Sequence, residues 1–423
     1  MQVPEAIVSV ARKSRLLFAS LVICALGMAP AKAQEPVAIA DIERVGRYFA
    51  SDHSPDLLRC LIQPQKPRLD FAFRFDAGYI ISCSLAKFEG RASEIFAYAR
   101  VTPEGGKPVL LGDDYRLPAA TEVRKSSQLK QNFEMSGGFA VGEGRYEVEV
   151  VVVDQATGRT SRKRWRAGVG HGPGARTAES AIPPHSVMPM GARPWPVKMD
   201  TSGKGLRLSV LLDAAPINPR TPALRAWDRA FLLGSLSSLL KEIPCASVRL
   251  RAFNLDQQRE LFRQDQFDDS GLIALAASLR TTELGTVSYR VLQQQQGWLG
   301  LLLDYVNSEL RAADPADAVI ILGPRSRYFG DLPRGKPQGR ETPNPHFFYF
   351  EYVPGRLPSS LYPDPLESLT RRLDGAVYYI FSPGDLAHSV QKMLTRVQPR
   401  MEPSNPAHWP ARPAPNHQAT TRH

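Results

Sequence analysis

The spacing of apolar residues changes near residue 205, and this change restricts the fold more than any other feature of the chain. Before it, apolar and polar residues alternate in short runs. In RYEVEVVVVDQATGRTSRKRW at 145–165, Tyr146, Val148, Val150 and Val152 alternate with Arg145, Glu147 and Glu149. A polar loop with Gly158 follows, and then a basic return strand, which predicts a β-hairpin. IFAYARV at 95–101 predicts another strand. LDFAFRF at 69–75 sets Leu69, Phe71, Phe73 and Phe75 on one face against Asp70 and Arg74 on the other, the period of a half-buried strand. Short strands without long helices predict an antiparallel β-sandwich of immunoglobulin-like type over 66–168.

After residue 205 the strands become continuous apolar runs. LRLSVLL at 206–212 reads as a strand covered on both faces. Thr221-Pro222 opens a helix to about 241, with Leu224, Trp227, Phe231, Leu236, Leu239 and Leu240 at three/four spacing and Pro244 as its stop. Strands are predicted at 247–254, 260–264, 317–322, 347–353 and 375–381. Helices are predicted at 269–279, about 290–312, 364–373 and 383–397. Strands alternating with helices give an α/β doubly wound, mainly parallel sheet over 205–397. Residues 169–204, rich in Gly, Pro, Ser and Ala, read as a semi-extended linker, and the Pro/His-rich 398–423 as a disordered tail. The chain is thus multidomain.

The first 33 residues read as a secretory signal peptide. Arg12, Lys13 and Arg15 precede the apolar LLFASLVICALGMA at 16–29, and Ala31-Lys32-Ala33 offers small residues for cleavage before Gln34. The apolar run is shorter than the about 20 residues a membrane span needs. The mature chain is therefore expected to be secreted or periplasmic, with no membrane span. Residues 34–65 form a short helical lead-in with Ile39, Ile42, Val45 and Phe49 at helical spacing. In an oxidising compartment Cys60 and Cys83 are a possible disulfide. Cys245, after Pro244, reads as a buried inert thiol. The net charge of +11 is spread over scattered Lys and Arg without a long basic run. That reads as a solvated basic surface, and no nucleic-acid partner is expected.

LRLSVLLDAAPINPR at 206–220 ends a buried strand in Asp213. In open α/β sheets, ligands bind at the carboxyl ends of the strands. The order of elements over 205–397 resembles a von Willebrand factor type A domain, whose first strand ends in Asp-x-Ser-x-Ser and holds Mg²⁺. The resemblance implies an adhesion domain with a metal-ion-dependent site. Here the matching positions are Asp213, Ala215 and Ile217. Thr286 matches the family's threonine ligand, and Gly323-Pro324 stands where the family has Asp-Gly. The site is degenerate: one carboxylate and one hydroxyl do not hold a hard cation that wants six oxygens. No metal and no cofactor are expected. The arrangement is also similar to that of uncharacterised acidobacterial secreted proteins with a von Willebrand type A-like domain.

In PRSRYFGD at 324–331, Arg325 and Arg327 leave the fourth strand beside Asp213. A guanidinium there would take the place of the metal, pairing with Asp213 or with a partner's carboxylate. The alternative is a pair of solvated loop arginines. Asp385 and His388, in SPGDLAHSV, lack a nucleophile elbow, and the aspartate reads as a first-turn acid. Gly142-Glu143-Gly144 lies inside a hairpin, where it cannot cradle a dinucleotide. The expectation is a non-enzymatic protein-binding or scaffold protein, contacting a protein partner through Asp213, Thr286, Arg325 and Arg327. The alternative is an extracytoplasmic hydrolase acting on a polymer or glycan through Asp385, His388 or Asp213.

Overall fold

The computed structural model describes residues 32–50, 58–88, 92–117, 132–170, 178–190, 205–217, 224–281, 296–326, 345–353 and 364–397. The first half is two facing sheets, antiparallel except for the short parallel pairing of the first strand. One contains β1 (Lys32–Ala33), β3 (Leu61–Leu69), β4 (Phe75–Ser84) and β7 (Asn132–Val141), in the order β1-β7-β4-β3, with β10 (Val187–Pro189) also on β7. The other has the order β2-β6-β5-β8-β9, from β2 (Glu35–Pro36), β5 (Ser93–Pro103), β6 (Val109–Leu117), β8 (Gly144–Asp154) and β9 (Thr160–Val169). Their inner faces supply Tyr79, Ile81, Ile95, Val101, Val148 and Val150, all at most 1% exposed. Helix α1 (Ile42–Ala50) lies over the outer face of the second sheet, with Val45 and Phe49 against Tyr98, Val151 and Val153. Cys60 and Cys83 are joined in a disulfide between β4 and the chain entering β3.

The second half is one six-stranded sheet, ordered β13-β12-β11-β14-β15-β16. Its strands are β11 (Leu206–Asp213), β12 (Cys245–Asn254), β13 (Arg259–Gln264), β14 (Ala318–Pro324), β15 (His346–Tyr352) and β16 (Ala376–Ile380). Every pairing is parallel except β12 with β13. Helices α2 (Ala226–Glu242), α3 (Asp269–Thr281) and α6 (Pro383–Val397) cover one face through Leu236, Leu239, Leu275, Val390 and Met393. Helices α4 (Gly297–Leu310) and α5 (Pro365–Arg372) cover the other through Leu302, Val306 and Leu369. Strand order reverses between β11 and β14, which makes their carboxyl ends the switch point.

Three expectations fail. LDFAFRF is not one strand: 70–74 is the turn between β3 and β4. The Asp70 carboxylate accepts hydrogen bonds from the Ala72 and Arg74 amides at 2.9 and 2.8 Å, closing a loop that a side-chain acceptor makes more favourable than continued strand. Phe71 and Phe73 leave the sandwich altogether. Phe73 is fully buried in the core of the second half, and Phe71 packs on Phe231 and Tyr352 with centroids 4.2 and 5.7 Å away. Nor is 169–204 a free linker where it is described. Ala178, Ala181 and Ile182 are buried, the Ala181 amide donates to the Phe73 carbonyl at 2.6 Å, and β10 joins a sheet. Local apolar content was low there because its partners come from elsewhere in the chain. The lead-in at 34–65 is also less helical than expected, with β2 and the start of β3 on either side of α1. Residues 1–31 and 398–423 lie outside the described residues.

Candidate functional site

The switch point gathers a buried polar cluster. Register pairs Leu212 of β11 with Leu322 of β14 and Gly323 with Glu351 of β15, and Asp213, the next residue of β11, lies against Gly323. Neighbours in a parallel ladder face the same way, so two carboxylates flank a residue with no side chain. The glycine is needed there: a Cβ at 323 would lie 2.7 Å from the Asp213 Cβ. Both acids are 1% exposed. The strand spacing puts their backbones about 10 Å apart.

Asp364 supplies a third carboxylate. It caps α5, its Oδ1 accepting from the Leu366 amide at 2.9 Å. Its Oδ2 lies 3.2 Å from the Ser326 amide and 3.1 Å from the Tyr349 hydroxyl, which is also 3.0 Å from the Pro324 carbonyl. The Tyr349 hydroxyl carries one proton, which it shares between Asp364 Oδ2 and the Pro324 carbonyl.

Burial pushes the Asp364 carboxyl up to about 6, against the hydrogen bonds it accepts from Leu366, Ser326 and Tyr349 and the nearby Arg325 charge. Burial and then the Asp364 charge push Glu351 up to about 7, against Arg325. Burial, followed by Asp364, Glu351 and Asp213, drives the Tyr349 hydroxyl well above its ordinary value. Arg325 is half-buried beside these acids and is the cation that offsets them.

The loop after Asp213 is held by other means. The Asn254 amide donates to the Ala214 carbonyl at 2.8 Å, and the buried Asp228 carboxylate accepts from the Ile217 and Arg225 amides at 3.2 and 2.9 Å. Ile217, at the second hydroxyl position, is 4% exposed and turned inward. Among the described residues, no group of three His, Cys, Asp or Glu side chains could hold a metal ion.

Of the sequence-predicted residues, the structure brings Asp213 and Arg325 to one crest. Thr286 and Arg327 lie outside the described residues. Asp385 and His388 do not converge: Ser382 Oγ accepts from the Asp385 amide at 3.3 Å at the start of α6, the Asp385 carboxylate accepts from Ser382 Oγ at 2.9 Å and the Phe381 amide at 3.2 Å, and His388 is exposed. Glu351, Tyr349 and Asp364 escaped sequence reasoning. FFYFEYV reads as buried sheet, and only inter-strand register reveals that its glutamate stands level with Asp213.

Neither protein-family models nor curated proteins match the chain. Among solved structures, it is similar to the ArnB paralog VWA2 from Sulfolobus acidocaldarius, at 12% identity over 59% of this chain and 49% of that one, TM-score 0.22. It is similar to a family 123 glycoside hydrolase from Clostridium perfringens, at 6% identity over 76% of this chain and 72% of that one, TM-score 0.25. A Bacteroides uniformis beta-glucuronidase matches at 9% identity over 77% of this chain and 46% of that one, TM-score 0.19. The chain spans about half the length of the first and the last of these. Likenesses this slight carry no argument about function.

Proposed function

We propose that this is a secreted, non-enzymatic protein-binding or scaffold protein. In this reading its second half is a von Willebrand type A-like domain with a degenerate metal site, carried beside an immunoglobulin-like sandwich. The observation that carries it is the placement of Arg325. It leaves β14 at the switch point, beside Glu351 and Asp364 and one strand from Asp213. A guanidinium there balances buried acid as a cation would, and its fork of five N–H donors suits a partner's carboxylate as well. Asp213 is too deeply buried to touch a partner, so its role becomes support of the crest. The inward-turned Ile217 and the closed space over Gly323 favour recognition without a metal. Secretion is supported by the leader composition and by the Cys60–Cys83 bond, which persists in oxidising compartments.

The test is capture of envelope proteins from the source organism by full-length wild type, Arg325→Ala and Arg325→Lys. The Ala variant should lose its captured partner at least tenfold while melting cooperatively, and Lys should restore only part, because it cannot bind bidentately. Unchanged capture by Arg325→Ala would overturn the reading. A melting temperature raised by millimolar Mg²⁺ would overturn its metal-free part, since a ligand of the folded state stabilises it.

A further inference from the structure

The first half of the chain holds a hollow beneath α1. A cavity of about 300 Å³ opens between this helix and the outer face of the second sheet, at the lower end of small-molecule pocket sizes. Its walls are Val37, Ile42, Phe49, Pro108 and Leu110. Its one charged wall residue among those described is Arg100, on β5, whose side chain keeps 34% of its surface exposed.

Two details suggest a place for a ligand rather than a packing fault. The first is Gly46. A glycine inside a helix costs about 1 kcal/mol against alanine. Among the described residues nothing lies within 4 Å of where its Cβ would sit, so none of them demands the glycine, and Gly46 lines the cavity. The second is charge. The Arg100 guanidinium stacks 4.9 Å above the Phe49 ring and pairs with the buried Glu149. Glu149 is shared with Arg162, whose Nε lies 3.4 Å away and which also donates to the Tyr48 carbonyl. Two cations on one carboxylate leave an excess positive charge at an apolar cavity.

We propose that this cavity binds a small apolar carboxylate, its hydrocarbon body against Val37, Ile42 and Leu110 and its carboxylate on Arg100. The space vacated by the Gly46 side chain admits the hydrocarbon. The fixed, stacked guanidinium selects the acid over a neutral or cationic analogue of equal length.

The experiment is titration calorimetry of the full chain with octanoate, octanol and octylamine, for wild type, Gly46→Leu and Arg100→Gln. Wild type should bind octanoate at least tenfold more tightly than octanol, and octylamine least. Gly46→Leu places its Cβ in open space and suits a helix, so it should fold and lose octanoate at least tenfold. Arg100→Gln should bind octanoate and octanol alike. Three results would overturn the proposal: no octanoate binding to wild type, equal binding of octanoate and octanol by wild type, or undiminished binding by a folded Gly46→Leu.

Discussion

Glu351 is the residue on which the crest can be tested most directly. Its Oε2 has no hydrogen-bond partner among the described residues, and the carboxyl is pushed up to about 7 by burial and by Asp364. A raised carboxyl binds its proton more tightly folded than unfolded. The stabilisation is therefore complete below the ordinary carboxyl range and is lost as pH rises from about 4.5 through about 7. Glu351→Gln removes this term. The variant should melt like wild type at pH 4.5 and be more stable at pH 8, on the order of 2–3 kcal/mol, in thermal melts across that range. Asp364 contributes with the same sign up to about 6, so part of the pH dependence should remain. A Glu351→Gln curve parallel to that of wild type would show that this carboxyl is not held protonated.

At the scale of elements, the decisive piece is the turn between β3 and β4. Phe73 is fully buried in the second core with φ of 55°, a backbone conformation unusual for a bulky residue. Asp70 holds that turn through two backbone amides and pairs with Arg74 at 2.9 Å, and Ser238 Oγ of α2 donates to the Phe71 carbonyl at 2.8 Å. Phe73→Ala should cost about 3–5 kcal/mol, although the residue belongs by sequence to the sandwich. Hydrogen exchange should accelerate in β11 and α2 as well as in β4; acceleration confined to β4 would show that the contact is not energetic. The hairpin of β8 and β9 and the order of the second-half elements were legible because their periods are local. The turn was not, because Phe71 and Phe73 keep the alternation of a strand while answering to a distant partner. Strand β3 was hidden by Pro64 and Pro67, which an edge position tolerates. At the crest, the strand end flagged Asp213, whereas Glu351 needed the register of three strands.

For the whole molecule, the consequence is shared stability. The core of the second half includes Phe73, Ala178 and Ala181 together with Leu208, Leu236 and Val390. A fragment of residues 205–397 begins where the period changes and looks like a natural unit, but it lacks those three side chains and Phe71. It should be less stable than the full chain, with an apolar hollow beside Phe231 and Tyr352 that binds a hydrophobic dye. Purified fragment and full chain can be compared by dye fluorescence and calorimetry. A fragment melting at the full-chain temperature without dye binding would mean that the contact is dispensable.

The inserted turn also restricts how such a chain can be rearranged. A module joined only by a tether can be duplicated, reordered or lent to another protein at little cost. A module that needs its neighbour's two aromatic rings to fill its interior cannot, so these halves are bound to travel together.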